Sequence, residues 1–401
     1  MSIKQPQQAS YDLLTAMANR KLSIAIIGAG IGGLAAATLL ARAGHRVRVF
    51  EQASRFARVG AGIQMTPNAM KVLRGLGGEA RLRKIAFQSP AGISREWDTG
   101  AITNELRMGD EIEARYGAPY LFLHRADLHL ALETMVPAGI MQLNRKLSAI
   151  EQNAHGVTLA FADGTREQAD AAIGADGVHS RVREIMLGPE QPRFTGRVAY
   201  RTTFPAALMG KDRITPLRTK WWGPDRHMVV YYVTAIHDEI YFVTSQPESV
   251  EWMTPESWSA KGNLQNLREA YAGFHPEVQA ILRACPDVHK WALLERDPLP
   301  KWTDGRVALL GDACHPMTPY MAQGAASALE DAAVLSRCLD GIDADGVATA
   351  LKRFEATRKP RTAEIQGTSR KNTWMRNETD PGWVYGYDAW TTLLADSSAA
   401  Y

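Results

Sequence analysis

The turn Gly28-Ala29-Gly30-Ile31-Gly32-Gly33 has the spacing G-x-G-x-x-G, and it separates an apolar run at 22–27 from a run of small and apolar residues at 31–43. That spacing suits phosphate chemistry. Gly28 permits the tight turn, Gly30 lets a pyrophosphate approach the backbone, and Gly33 lets helix and strand pack closely. The helix start beyond it offers unpaired N–H groups and the positive end of a dipole. Glu51, at the end of the next apolar run, is spaced to accept both hydroxyls of a ribose. The turn alone does not separate NAD from FAD. A second set far along the chain does. Asp176-Gly177 and Gly311-Asp312 each end an apolar run, and Gln323-Gly324-Ala325 opens a small-residue helix. Asp312 can accept from ribityl hydroxyls, and the helix start can present N–H groups to the pyrimidine edge of a flavin. Small residues there leave room for a flat ring, so the expected bound cofactor is FAD.

A third set suits proton and anion chemistry. In "KWWGPDRHMVVYYVT" strand alternation puts His227, Val229, Tyr231 and Val233 on one face. An imidazole titrating near neutrality can take the proton of a ring hydroxyl, with Tyr231 as relay or orienter. The plainer reading is a surface histidine beside a core tyrosine. Arg218, Lys220 and Trp222 share a face of the adjoining strand. A guanidinium at 218 either clamps a substrate carboxylate with two hydrogen bonds or is a solvated edge charge. His315 either touches the substrate or caps its turn, and Pro316 fixes the backbone beside it. Cys314 reads as a small buried residue. The remaining histidines have no ligand spacing, and no metal is expected.

The elements that must position these groups follow from periodicity. A strand at 22–27, a helix at 31–43 and a strand at 45–52 form a βαβ unit. Short runs rich in Val, Tyr, Trp and Thr at 198–204, 218–222, 227–234 and 239–245 read as a mostly antiparallel sheet. Strand-then-helix order returns after about 290, with a long amphipathic helix at 347–376 and an aromatic tail from Asp380 expected to pack down. The fold class is α/β: a Rossmann-like FAD-binding domain interrupted by a substrate sheet domain, with C-terminal helices. The divisions are an extension at 1–20, with a possible short helix at 11–17, and a first FAD-binding part at 21–190 with substrate-side insertions near 65–120. Then come the sheet domain at 191–290, a second FAD-binding part at 291–345, and the helix and tail at 346–401.

A chain of 401 residues, 45% hydrophobic, can bury more than one core. A net charge of +3 favours neither a nucleic acid nor a membrane surface as partner. Three cysteines with no C-x-x-C spacing give no disulfide framework and suit a reducing compartment. The expectation is a cytoplasmic enzyme, monomer or homodimer.

Together, the glycine turn at 28–33, Asp176-Gly177 and Gly311-Asp312 with His315-Pro316 resemble the three fingerprints of the single-component FAD-dependent aromatic hydroxylases, built like 4-hydroxybenzoate 3-hydroxylase. The resemblance runs from Leu22 to about Arg376. It implies that NADH or NADPH reduces the flavin, that O2 adds at C4a, and that the resulting hydroperoxide delivers an electrophilic hydroxyl to a small aromatic substrate. It also implies that Arg125 of "HRADLHLAL" lies against FAD, with Gln52 and Gly62 among the cofactor contacts. The stretches "KWWGPDRHMVVYYVT", "GDACHPMTPYMAQGA" and "DPGWVYGYD" resemble a branch that hydroxylates a hydroxypyridine carboxylate at the carboxylate-bearing carbon, with loss of CO2. This chain has Gln64 where that branch has His, and Arg218 where it has Cys. Both positions, with Tyr231 and Pro316, are expected to touch substrate. The alternatives are ring hydroxylation with the carboxylate retained, as in salicylate or hydroxybenzoate hydroxylases, and a flavoprotein reductase that hydroxylates nothing.

Overall fold

In the computed structural model, residues 21–57, 61–249 and 261–396 are described. The expected helix at 11–17 lies outside them. The strand Ser23–Ile27 is buried along nearly its whole length, as a strand covered on both faces must be. It is the centre of a six-stranded sheet, paired in parallel with Arg46–Phe50 on one side and Ala171–Gly174 on the other. Val307–Leu309 joins in parallel beyond Ala171–Gly174, and Met141–Gln142 beyond Arg46–Phe50. The helix Ile31–Arg42 is rich in Ala and Gly and is buried from Ile31 to Leu40. It lies between this sheet and the helix Gly324–Leu339.

The second sheet has seven strands in the order His289–Glu295, Arg193–Pro205, Glu239–Pro247, His227–Tyr232, Arg218–Trp222, Ala91–Glu96, Ile102–Arg107. Only the pairing of Arg218–Trp222 with Ala91–Glu96 is parallel. The sheet therefore draws on both flanks of the 191–290 stretch. Trp222 stands opposite His227, and Lys220 opposite Val229, so the face inferred from alternation is the observed one. Gly62–Met65 pairs with Leu121–His124 in a small ribbon between the two large sheets' contributions in sequence.

The long C-terminal helix runs Val347–Arg370, shorter than the 347–376 expected. Beyond it Asn372 and Met375 adopt left-handed conformations, φ 51 and 61, which turn the chain back. The tail does pack down. Lys71 Nζ donates to the carbonyls of Gly386 and Tyr387 at 2.9 and 3.2 Å, and Trp390 Nε1 donates to Lys71 O at 3.1 Å. Among the described residues no helix is long and apolar enough to cross a membrane.

Candidate active site

Gly28 has φ +99, and a Cβ there would come within 2.5 Å of Ala175 O. A Cβ on Gly33 would overlap Gly28 O, whereas one on Gly30 would meet no atom within 4 Å. The first and third glycines thus allow packing, and the second leaves open space. Glu51 fastens the turn, accepting from Ala29 N at 2.9 Å and Ala53 N at 2.8 Å. It also lines a cleft of about 1270 Å³ together with Gly28, Gly30, Gln52, Arg125 and Asp176. Gly30, Arg125, Ala175 and Gly177 also line an inner cavity of about 340 Å³, which reaches Gly62, Asp312, Gly324 and Ala325. Asp312 is held by burial above the usual carboxylate range, despite His315 and Arg125 nearby. Neither helix start facing these spaces has a side-chain cap, so their N–H groups remain available. A long, two-ended ligand with a diphosphate near Gly30 and a flat ring near Gly324 fits this chain of spaces.

Next to the inner cavity lies a smaller one, lined by residues of the seven-stranded sheet. Arg218, Lys220, His227, Val229 and Val243 face it from the sheet, while Gln64, Tyr120, Tyr320, Trp374 and Tyr385 close it. Among the described residues, none that lines it carries a carboxylate. Arg218 is buried, and its Nε has no hydrogen-bond partner. Burial, reinforced by the basic neighbours Lys220, Arg197 and Arg218, holds the His227 imidazole well below its usual range, in the neutral form. Burial also lowers Lys220 strongly, with Arg218 and Arg376 adding to it. Gln64 Oε1 accepts from the Tyr120 hydroxyl at 2.7 Å, and the Tyr120 phenol is pushed up to about 12 by burial. The cavity thus brings together a neutral imidazole, a buried guanidinium and a buried amine, with Tyr120, Tyr320, Trp374 and Tyr385 among its walls.

The sequence pattern of the family described as "FAD binding domain" matches residues 21–368. The chain belongs to this family. It is 46% identical to the 6-hydroxynicotinate 3-monooxygenase of Bordetella bronchiseptica, over 95% of this chain and 99% of that one. It is 38% identical to the 3-amino-4-hydroxybenzoate 2-monooxygenase of Streptomyces cremeus, over 93% and 97%. A salicylate hydroxylase substrate complex superposes with a TM-score of 0.80 at 27% identity, covering 92% of this chain and 96% of that one. Klebsiella pneumoniae HpxO, complexed with FAD and uric acid, gives 0.77 at 27% identity, covering 90% of each. This chain is accordingly an FAD-dependent monooxygenase that uses NAD(P)H and O2.

Within this flavin hydroxylase the expected site residues part into two groups. Gly28, Gly30, Glu51, Gln52, Gly62, Arg125, Asp176, Asp312, Gly324 and Ala325, all expected at the cofactor, line the cleft and the inner cavity, with Gly33 behind the turn. Asp176 also fastens the start of the helix Arg181–Leu187, its carboxylate accepting from Ser180 Oγ at 2.6 Å, Arg181 N at 2.7 Å and Val182 N at 3.1 Å. Arg218, His227 and Gln64 line the smaller cavity, and burial excludes the edge-charge reading of Arg218.

Gln323 is tied down by its side chain, which donates to Thr66 Oγ1 at 3.0 Å and accepts from Asn68 Nδ2 at 2.9 Å, and the expectation placed on the backbone of this helix start is untouched by those bonds. Three expectations are corrected. His315 lines neither cavity: its Nε2 lies 2.5 Å from Asp331 Oδ2, its ring is near Trp302, and it is fully buried. Burial alone would raise Asp331, but His315 and Arg358 hold it at about 2. Pro316 is likewise outside both cavities, its carbonyl accepting from Gln366 Nε2 at 3.0 Å. Tyr231 lines the flavin cavity, not the one that His227 faces, and packs against Phe122 and Tyr241. Four residues of strand span about 13 Å, so the two cannot pass a proton directly. What sequence reasoning missed came from outside the strands: Tyr120, Tyr320, Trp374 and Tyr385. Only Tyr320 and Tyr385 lie in stretches already singled out, and no periodicity connects either to the sheet.

Proposed function

We propose that this hydroxylase acts on a planar ring bearing both a hydroxyl and a carboxylate, a hydroxylated pyridine or benzene carboxylate, and that attack falls on the carboxylate-bearing carbon with release of CO2. The observation that carries this reading is the buried, acid-free cavity with an unpartnered Arg218 Nε toward one end and a neutral His227 toward the other. The names of the 46%- and 38%-identical relatives, each acting on a ring with those two substituents, support the substrate class.

FAD, once reduced and exposed to O2, supplies an electrophilic oxygen. This chain's residues prepare the ring to receive it. Arg218 holds the carboxylate with paired hydrogen bonds, which orients the ring. His227 takes the hydroxyl proton on a ring nitrogen, and the oxyanion so formed pushes density to the carbon opposite or adjacent. Tyr231, whose phenol burial keeps protonated, positions Gln64, and Gln64 with Tyr120 closes the cavity on the flavin side. Aromatic walls keep water from the reacting carbon. After attack the electrons of the ring–carboxylate bond restore aromaticity as CO2 leaves. Overall, one carboxylate, one O2, one NAD(P)H and two protons give one hydroxylated ring, CO2, water and NAD(P)+.

The test is turnover of a panel of hydroxypyridine and hydroxybenzene carboxylates carrying a labelled carboxyl carbon. Labelled CO2 together with a product in which hydroxyl replaces carboxyl is expected. A product heavier than substrate by one oxygen, with the label kept, replaces the decarboxylating reading by ordinary hydroxylation. NAD(P)H oxidation that no carboxylate accelerates leaves only the reductase reading.

A further inference from the structure

Lys220 is not used in the mechanism above, yet it sits in the middle of the cavity's charged row. On the strand Arg218–Trp222 it is the next inward residue after Arg218, and it faces the same cavity. Its side chain is 1% exposed, and its Nζ lies 3.6 Å from the centroid of the Trp222 ring. A lysine is rarely enclosed without a carboxylate partner, because an ammonium loses its hydration on burial. Among the described residues, the ionisable groups facing it in the cavity are all basic. Arg218 flanks it on its own strand, and His227 faces the cavity from the neighbouring strand His227–Tyr232. Arg376 approaches from the turn after the C-terminal helix. The adjoining strand Ala91–Glu96 brings Ser94 into register with Lys220, while its acid, Glu96, registers with Trp222. The remaining walls contribute Val243, Tyr320 and Tyr385, which carry no charge. A buried amine among cations, open on one side to a space meant for an anion, has its missing partner in the substrate.

We propose that Lys220 is the second anion-holding group of the substrate cavity, and that it takes one proton from solvent as an aromatic carboxylate enters beside Arg218. With no carboxylate beside it, burial and the neighbouring cations Arg218 and Arg376 oppose a charge on this amine. The arriving carboxylate supplies the missing counter-charge, an N–H bond forms with a solvent proton, and the ammonium donates to the carboxylate. The Trp222 ring face then supports the cation from below. When the carboxylate departs, the proton returns to solvent and the cavity lets go of an uncharged product. The inference rests on the carboxylate reading of the cavity and adds that binding is linked to proton uptake at one named atom.

Calorimetry on the FAD-loaded protein tests it, with 6-hydroxynicotinate and benzoate as probes and 2-hydroxypyridine as the probe without a carboxylate. Titrations at pH 7.5 in buffers of different ionisation enthalpy report protons exchanged, and the change in flavin absorbance reports binding independently. The expected result is uptake of about one proton per carboxylate bound and none for 2-hydroxypyridine. Lys220→Met should abolish that uptake and weaken carboxylate binding roughly 10- to 100-fold, with little effect on 2-hydroxypyridine. His227→Asn should retain the uptake. Carboxylates that bind wild-type protein with no proton taken up overturn the inference while leaving the carboxylate reading intact, and so does uptake that survives in Lys220→Met. If neither carboxylate perturbs the flavin or gives heat, the carboxylate reading falls and this inference with it. The wild-type buffer series decides the matter even if the lysine variant does not fold.

Discussion

With its pKa lowered, the His227 imidazole stays unprotonated at mildly acid pH, where an exposed histidine already carries its proton, and so remains available as an acceptor. His227 is lowered well below its ordinary 6.5 by burial and then by Lys220, Arg197 and Arg218. Substrate turnover should therefore stay level as pH falls to 6.5 and decline only below it, and an acid limb centred at or above 6.5 in kcat would contradict the assignment. The same shift bears on folding with the same sign: the unfolded chain binds this proton first, so the stability it contributes is lost as pH falls through the lowered value. His227→Ala should reduce kcat roughly 10²- to 10⁴-fold while the protein still carries flavin, read from its visible absorbance. Arg218→Met should raise KM for carboxylates roughly 10- to 100-fold and spare kcat, since it removes binding common to ground and transition states. Legibility at this scale was uneven. Strand alternation grouped Arg218 with Lys220 on one strand and His227 with Tyr231 on the next because period two is a local property, whereas the register between the strands and the burial of that face appear only in the fold. It could not tell that His315 would turn into the core toward Asp331, sixteen residues on, because that depends on how two segments meet. Nor could it find Tyr320 in place of His315, five residues away on the same loop.

At the scale of elements, the three glycines of the first turn do different things, and substitutions should separate them. A methyl on Gly30 enters empty space in the protein but occupies the path of a diphosphate. Gly30→Ala is expected to leave the thermal stability of the flavin-free protein unchanged while weakening FAD binding, measured by titrating the free protein with FAD. A methyl on Gly33 collides with Gly28 O, backbone that cannot move aside without parting strand from helix. Gly33→Ala should therefore lower stability with and without flavin. Equal behaviour of the two variants would remove the distinction. This βαβ unit was readable because each of its parts carries its own local signal: a buried apolar strand, spaced glycines, an Ala-rich helix and a terminal acid. The C-terminal segment was less so. The helical pattern continues to Arg376, but the chain leaves the helix after Arg370 through left-handed Asn372 and Met375. The gain from that turn is tertiary: Ser94 Oγ donates to Met375 O at 2.5 Å, and Trp374 and Met375 become a wall of the smaller cavity.

Across the whole molecule, the helix start at Gly324, which lines the inner cavity, is held by a buried ionic cluster that joins three distant segments. Arg358 of the long helix donates Nε to Asp331 Oδ1 at 2.7 Å and pairs its Nη2 with Glu330 at 2.7 Å, all three side chains fully enclosed. Asn68, from the first part of the chain, donates to Glu330 Oε1 at 2.7 Å and to Gln323 Oε1 at 2.9 Å. Arg361 adds paired bonds to Glu330 at 2.9 Å. The residue just before Gly324 is thereby fixed by its side chain, which leaves the helix's N–H groups facing the cavity. Replacing Arg358 removes the cation that two buried carboxylates share, leaving Asp331 to His315 and Glu330 to Arg361 and Asn68, and losing one member of such a set costs about 3–5 kcal/mol. Arg358→Met should accordingly lower the unfolding midpoint in urea and also weaken FAD, although no atom of Arg358 lines either cofactor space. Arg358→Lys keeps the charge but not the fork of donors, so it should recover stability only in part. A variant that lost stability yet bound FAD with unchanged affinity would mean that the helix start is held by the glycine-rich packing of Gly32 and Gly311 against Ala328, and not by the ionic cluster.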